Sequence, residues 1–118
     1  MVLCAAEAQP ERVAFHGQVV RCPVVDDVLS HQELARVIIT SRMVAQALGA
    51  GQRAIITCTT GINRSALVAA LALARLTRAS AADLIMLIRN KRHPSALNNA
   101  FFQHVLNNLV GAGRKPYR

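Results

Sequence analysis

Tryptophan is absent from this chain, and the other aromatics are scarce: three phenylalanines and one tyrosine, 3% of 118 residues. A core built from it must therefore be aliphatic and alanine-rich, because 53% of the residues are still hydrophobic. The same scarcity removes the aromatic-interleaved basic pattern of a nucleic-acid-binding sheet. No apolar run reaches the roughly 18 residues that a membrane-spanning helix needs, so no membrane partner is expected. The first residues lack the basic start and apolar stretch of a signal peptide. Cysteine is sparse too. Three cysteines, with no CxxC pair and no histidine at zinc-ligand spacing, do not read as a metal site, and no cofactor is expected. An odd count without a secretion signal points to a reducing, cytoplasmic setting. Repeats, low-complexity tracts and linkers are missing. The length leaves room for one core, so the chain reads as a single domain over 1–118 with a basic tail at 111–118.

Negative charge is also in short supply: six acidic residues face fourteen basic ones, a net charge of +8. No acidic residue follows Asp83, whereas Arg89, Lys91, Arg92, Arg114, Lys115 and Arg118 do. Such a field attracts phosphorylated proteins, nucleotides or RNA. A solvated basic face that only keeps the chain soluble accounts for it equally well.

What the chain has is concentrated in Cys58-Thr59-Thr60-Gly61-Ile62-Asn63-Arg64-Ser65, between the strand-like run Ala54-Ile55-Ile56-Thr57 and the apolar helical run that starts at Ala66. A helix N-terminus exposes N–H groups without intrahelical partners and carries partial positive charge. A loop curling into it, Thr59 to Arg64, can cradle a phosphate. Gly61 admits backbone angles closed to other residues. Arg64 offers a planar fork suited to phosphate oxygens. Cys58 would then lie at the bottom of a positive bowl, where a thiol pKa drops from about 8.5 toward 3.5–7.5. Ser65 can donate a hydrogen bond to the sulfur. The implied chemistry is attack on phosphorus to give a cysteinyl-phosphate that water hydrolyses. The alternative is an inert, buried structural cysteine.

A departing oxygen needs a proton from a carboxylic acid outside the loop. Glu7 and Glu11 flank the first strand, while Glu33 and Asp83 sit where helix caps belong. That leaves Asp26 and Asp27, which end the run Cys22-Pro23-Val24-Val25 and begin a loop, a usual place for a catalytic group at the edge of an α/β sheet. Both are equally readable as turn aspartates.

The loop resembles the phosphate-binding loop of the cysteine-dependent protein tyrosine phosphatases, and the chain as a whole is most similar to their dual-specificity branch. Val2-Leu3-Cys4-Ala5-Ala6-Glu7 resembles the family's strand and Ala-Ala-Glu-like turn. Pro23-Val24-Val25-Asp26 is similar to its general-acid loop. Lys91-Arg92-His93-Pro94 with Asn98-Asn99 and Phe101-Phe102 is similar to its last two helices, so the resemblance runs in order from residue 2 to about 109. It implies Cys58 as nucleophile, Arg64 as transition-state clamp, Ser65 as the hydroxyl assisting the thiolate and Asp26 as general acid, acting on a phosphorylated protein or peptide. Three departures set further expectations. Thr57 stands where the family has histidine, so a non-catalytic phosphate-binding module is an alternative. The chain starts at what resembles the family's third strand, so it is expected to be a minimal version or one lacking its N-terminal part. The sheet edge this bares would be the route to a homodimer. Thr59 and Asn63 resemble the RNA 5′-triphosphatase branch, Cys-Thr-His-Gly-x-Asn-Arg-Thr, although Thr60 and Ser65 differ from it. That makes RNA the alternative substrate.

Hydrophobic periodicity predicts strands near 2–5, 19–25 and 53–57, and helices near 31–48, 65–77, 81–90 and 99–109. Ser30 with Glu33 forms a capping box, and Ser80 with Asp83 begins the third helix in the same way. Gly49 or Gly51 ends the first helix. Helix 65–77 is apolar nearly all round and is expected at the centre. The expected fold is a small α/β domain, mainly parallel, flanked by helices and phosphatase-like.

Overall fold

The computed structural model of the chain describes residues 1–110. The basic tail at 111–118, with Arg114, Lys115 and Arg118, lies outside the described residues. The elements run β1 (Val2–Ala5), β2 (Val20–Val24), α1 (His31–Gly49), β3 (Ile56–Thr57), α2 (Arg64–Leu76), α3 (Ala81–Lys91) and α4 (Ala100–Leu109). The three strands form a parallel sheet in the order β2-β1-β3, so the fold is a small α/β arrangement with four helices among the described residues. Parallel neighbours need a crossover of about a dozen residues or more. The irregular stretch 6–19 provides it between β1 and β2. Helix α1 then carries the chain back across β1 to β3.

β3 is shorter than the periodicity predicts, two residues in place of 53–57. Its partner explains this. Val2, the first residue of β1, pairs with Ile56 and Leu3 with Thr57, so the pairing does not extend to Arg53 and Ala54. Only the bond from the Val2 N–H to the Ile55 carbonyl extends the ladder, at 2.8 Å.

Helix starts follow local chemistry. Ser30 Oγ accepts from the Glu33 N–H at 3.1 Å, and Glu33 Oε1 accepts from the Ser30 N–H at 3.1 Å. Ser80 and Asp83 repeat the exchange at α3, and Asn99 Oδ1 caps α4 through the Phe102 N–H at 3.1 Å. Each such cap stabilises its helix by about 1 kcal/mol. At the end of α1, Gly49 is the last helical residue, and Gly51 takes the left-handed conformation with φ +81°.

α2 lies at the centre, packed against α1, α3, α4, β1 and β3. Leu67 and Val68 are fully buried, and Ala70, Ala72 and Ala74 let neighbouring helices approach closely. Phe102 is the one aromatic among the largest fully buried side chains, with Leu84, Leu97 and Leu106 around it in the core. Truncating a side chain such as Leu67 to alanine costs about 2–5 kcal/mol in a core of this kind. No described helix is long and apolar enough to cross a membrane.

Candidate active site

All three strands point their carboxyl ends the same way, and each delivers one ionisable side chain there. Glu7 follows β1 by two residues, Asp26 follows β2 by two, and Cys58 follows β3 directly. The chain order crosses over β1, so this edge is a topological switch point, where open α/β sheets form their crevices.

Cys58 is half-buried. Its sulfur accepts from the Gly61 N–H at 3.2 Å and from the Ser65 N–H at 3.5 Å, and Ser65 Oγ lies 3.3 Å away. Burial works against ionising this thiol. The hydrogen bonds from the Ser65 hydroxyl and from the Ser65 and Gly61 amides, with Arg64 nearby, outweigh it and hold the thiol below its ordinary range. Thr57, one residue earlier, directs its hydroxyl to the Val2 carbonyl at 3.2 Å and ties the loop to β1.

The loop is shaped from outside. Thr59 and Thr60 are exposed at its tip, Ile62 is half-buried, and Gly61 and Asn63 are buried. Gly61 sits at φ +70°. A carbonyl turned outward leaves its neighbouring N–H groups free to turn inward, but it needs a donor of its own. The segment between α3 and α4 supplies the donors. Arg92 Nε donates to the Gly61 carbonyl at 3.3 Å, the Leu97 N–H donates to the Ile62 carbonyl at 2.9 Å, and the Asn99 N–H donates to Asn63 Oδ1 at 3.1 Å. Leu97 adopts φ 59°, unusual for a non-glycine residue. It is fully buried, and the turn it makes aims its N–H at the loop.

Arg64 starts α2 and is 5% exposed. Its Nη1 donates to Glu7 Oε1 at 2.6 Å, to Glu7 Oε2 at 3.1 Å and to the Val24 carbonyl at 3.2 Å. Nε is buried and has no partner among the described residues. Burial opposes the guanidinium charge, but the hydrogen bonds and charge of Glu7 more than compensate, so Arg64 is held more firmly protonated than usual. Glu7 in turn lies below the usual carboxylate range, chiefly through its hydrogen bond from Arg64. One nitrogen is thus committed to fixing the side chain, while the adjacent Nε has no partner among the described residues. α2 is also the exception among the described helices: its N-cap, Asn63, makes no side-chain cap, whereas α1, α3 and α4 all have one. Of its first amides, that of Ser65 donates to the Cys58 sulfur.

The two candidate acids separate clearly. Asp27 Oδ1 accepts from the next N–H, that of Val28, at 2.8 Å, a local turn contact. Asp26 faces the loop. Its Oδ2 accepts from Asn63 Nδ2 at 3.2 Å and its Oδ1 from Asn99 Nδ2 at 2.9 Å. Asn63 Nδ2 also donates to Asn98 Oδ1 at 2.8 Å. Upstream, Glu33 Oε2 accepts from the Val25 N–H at 3.0 Å, and Arg36 donates to the Pro23 carbonyl at 2.6 Å. The strand end that presents Asp26 is therefore anchored to α1.

The structure gathers Cys58, Arg64, Ser65, Asp26 and the whole 59–63 loop, and leaves Asp27 outside. It adds residues that the sequence did not place at the site. Glu7 anchors Arg64, Arg92 supports Gly61, Asn98 and Asn99 belong to the polar network around Asp26, and Glu33 holds the strand end as well as its helix cap. The Ala5-Ala6-Glu7 turn was the available signal for Glu7. Cys4 and Cys22 are free thiols, wholly buried on adjacent strands. Among the described residues no group of three or more histidine, cysteine or acidic side chains is arranged to hold a metal. Compared with protein-family models and with curated proteins, the chain has no match.

Proposed function

We propose that this protein is a cysteine-dependent phosphatase that hydrolyses phosphoprotein monoesters, with a fold of the dual-specificity type that its motifs resemble. The observation that carries this reading is the Cys58 sulfur accepting amide hydrogen bonds at the uncapped start of α2, beside a buried arginine whose Nε has no partner. A tetrahedral dianion provides oxygens for inward amides and for Nε. Its phosphorus would face a thiol already biased toward thiolate.

In the proposed cycle the Cys58 thiolate attacks phosphorus. The S–P bond forms as the bond to the ester oxygen breaks, and Asp26 gives its proton to that departing oxygen. Arg64 and the loop amides bind the equatorial oxygens as their charge develops. A water then attacks the cysteinyl-phosphate and passes a proton to the Asp26 carboxylate. The S–P bond breaks, phosphate leaves, and the Ser65 hydroxyl steadies the returning thiolate.

Asn63, the residue that suggests an RNA 5′-triphosphatase, has its amide occupied by Asp26, Asn98 and Asn99. Its presence is thereby accounted for without a triphosphate, which favours the monoester reading. The test is a panel of aryl phosphate, phosphotyrosine peptide, phosphothreonine peptide and triphosphate-ended RNA, run on the wild type and Cys58→Ser. Turnover of the monoesters that falls on the order of 10⁴-fold or more in Cys58→Ser is expected. Intact turnover in Cys58→Ser ends the proposal. Release of γ-phosphate from RNA alone transfers it to the other branch, and phosphopeptide binding without turnover makes the chain a binding module.

A further inference from the structure

The amide of Asn99 does two jobs from one side chain. Its Oδ1 accepts the Phe102 N–H and caps α4, while its Nδ2 donates to Asp26 Oδ1 at 2.9 Å. The residue's own N–H reaches Asn63 Oδ1 in the phosphate loop. Asn99 thus touches the carboxylate, the loop and the start of a helix whose buried Phe102, Val105 and Leu106 fix it in the core. Asp26, by contrast, stands on an exposed turn between Val25 and Val28, which are 41% and 63% exposed. The hydrogen bonds to its carboxylate come from outside that exposed turn, from Asn63 and Asn99. The second amide on it, Asn63 Nδ2, is longer at 3.2 Å and is shared with Asn98.

From this we infer that Asn99 is a positioning residue for the acid–base carboxylate, with the α4 cap holding Asp26 toward the loop. The inference rests on the phosphatase reading above and extends it to a residue that touches no substrate. A carboxylate turned by even about 1 Å loses much of its catalytic effect. The loss falls on substrates that need protonation of the departing oxygen. Oxygen of low basicity departs without it.

Asn99→Ser separates the two jobs, because serine is also a good N-cap but lacks the amide donor. Rates are measured on a phosphoserine peptide and on an activated aryl phosphate, with thermal melting beside them, in wild type, Asn99→Ser, Asp26→Asn and the double variant. The expected result is an unchanged melt and a rate ratio between the two substrates that falls about tenfold or more in Asn99→Ser, in line with losing a charge-assisted hydrogen bond. In the Asp26→Asn background the same change should add little, since the two residues act as one unit. Equal slowing of both substrates, no slowing, or an additive loss in the double variant overturns the inference while leaving the phosphatase reading intact. Hydrolysis of neither substrate by the wild type removes both. Asn99→Asp, which keeps a cap acceptor, is the second variant. Loss of the fold in both variants would make Asn99 a cap alone and end the proposal.

Discussion

The two edges of the sheet differ in what fills them. At the amino ends of the strands lies a hollow of about 350 Å³, lined by residues such as Met1, Phe15, Val20, Met43 and Ala54. His16 and Arg53 reach it, but no carboxylate or thiol does. At the carboxyl edge a thiol, a guanidinium and two carboxylates meet in a web of bonds, most of them between residues far apart in sequence. Volume alone marks a place where something apolar fits. Converging groups with altered ionisation mark a place where chemistry can happen, so the carboxyl edge is the better candidate. The comparison breaks if substitutions at the amino edge, such as Arg53→Ala, reduce the proposed phosphatase activity as strongly as those at the carboxyl edge.

The largest effect short of removing the nucleophile should come from Glu7→Gln. It leaves Arg64 buried without its counter-charge and loosens the direction of the fork. We expect kcat to fall roughly 10²-fold, the size associated with misplacing an oxyanion donor. The loss should be about the same for good and poor leaving groups, because in the proposed cycle Arg64 serves the phosphoryl oxygens and not the departing one. A loss confined to poor leaving groups would move Glu7 into the acid's network.

Gly61→Ala follows. A Cβ here would lie 2.4 Å from Arg92 Nη2. That atom ends a flexible side chain and can swing away, but doing so strains the Nε bond to the Gly61 carbonyl. The φ of +70° adds a backbone cost of about 1 kcal/mol for a residue with a Cβ. The measurement is denaturant unfolding together with phosphate-protected alkylation of Cys58. Stability should fall by roughly 1–2 kcal/mol, and phosphate should protect less well. Unchanged protection would mean that the loop shape does not depend on this support.

Thiol reactivity sharpens the same contrast. The Cys58 thiol lies below its ordinary range, so its thiolate fraction, and with it the alkylation rate, should rise to a plateau at a lower pH than the usual midpoint of about 8.5. Activity should fall as pH drops through that lowered value. Ser65→Ala removes a hydrogen bond that favours the thiolate, so the midpoint should move up. Cys4 and Cys22, both fully buried, should stay unmodified in the folded protein. An alkylation midpoint at or above that of a free thiol would contradict the amide geometry around the sulfur.

Legibility in the sequence followed distance along the chain. The capping boxes at Ser30 and Ser80 span four residues, and the loop from Cys58 to Ser65 spans eight, so local pattern revealed them. The bond between Arg64 and Glu7 closes across 57 positions, and that between Asn99 and Asp26 across 73. Neither leaves any periodicity to read. Choosing between Asp26 and Asp27 was undecidable from adjacent residues for the same reason, since the discriminating partners lie in α4 and the loop. β3 was overpredicted because Arg53 to Ile55 have strand-like character, whereas the pairing stops where β1 starts.

Glu33→Gln should give the smallest effect, and it tests whether α1 merely folds or also serves the site. Glu33 Oε1 completes the capping box and Oε2 holds the Val25 N–H, one residue before Asp26. Its carboxyl is held below the usual range, first by the Ser30 amide and then by the Val25 amide. The sign follows. A carboxylate with a lower pKa folded than unfolded stabilises fully above its unfolded value of about 4.3 and loses that contribution as pH falls through the folded value. Glutamine keeps an acceptor for one amide but not the charge. The side chain is only partly buried and its charge is screened by solvent, so the loss at neutral pH should be only about 0.5 kcal/mol. It should vanish in acid, where wild type and variant converge. If the bond to Val25 does no more than cap, leaving-group dependence will match wild type. If it holds the strand end that presents Asp26, poor leaving groups will slow by about two- to threefold, in proportion to the weakened bond. A stability difference that persists below the folded value would show that packing, not charge, is what Glu33 contributes.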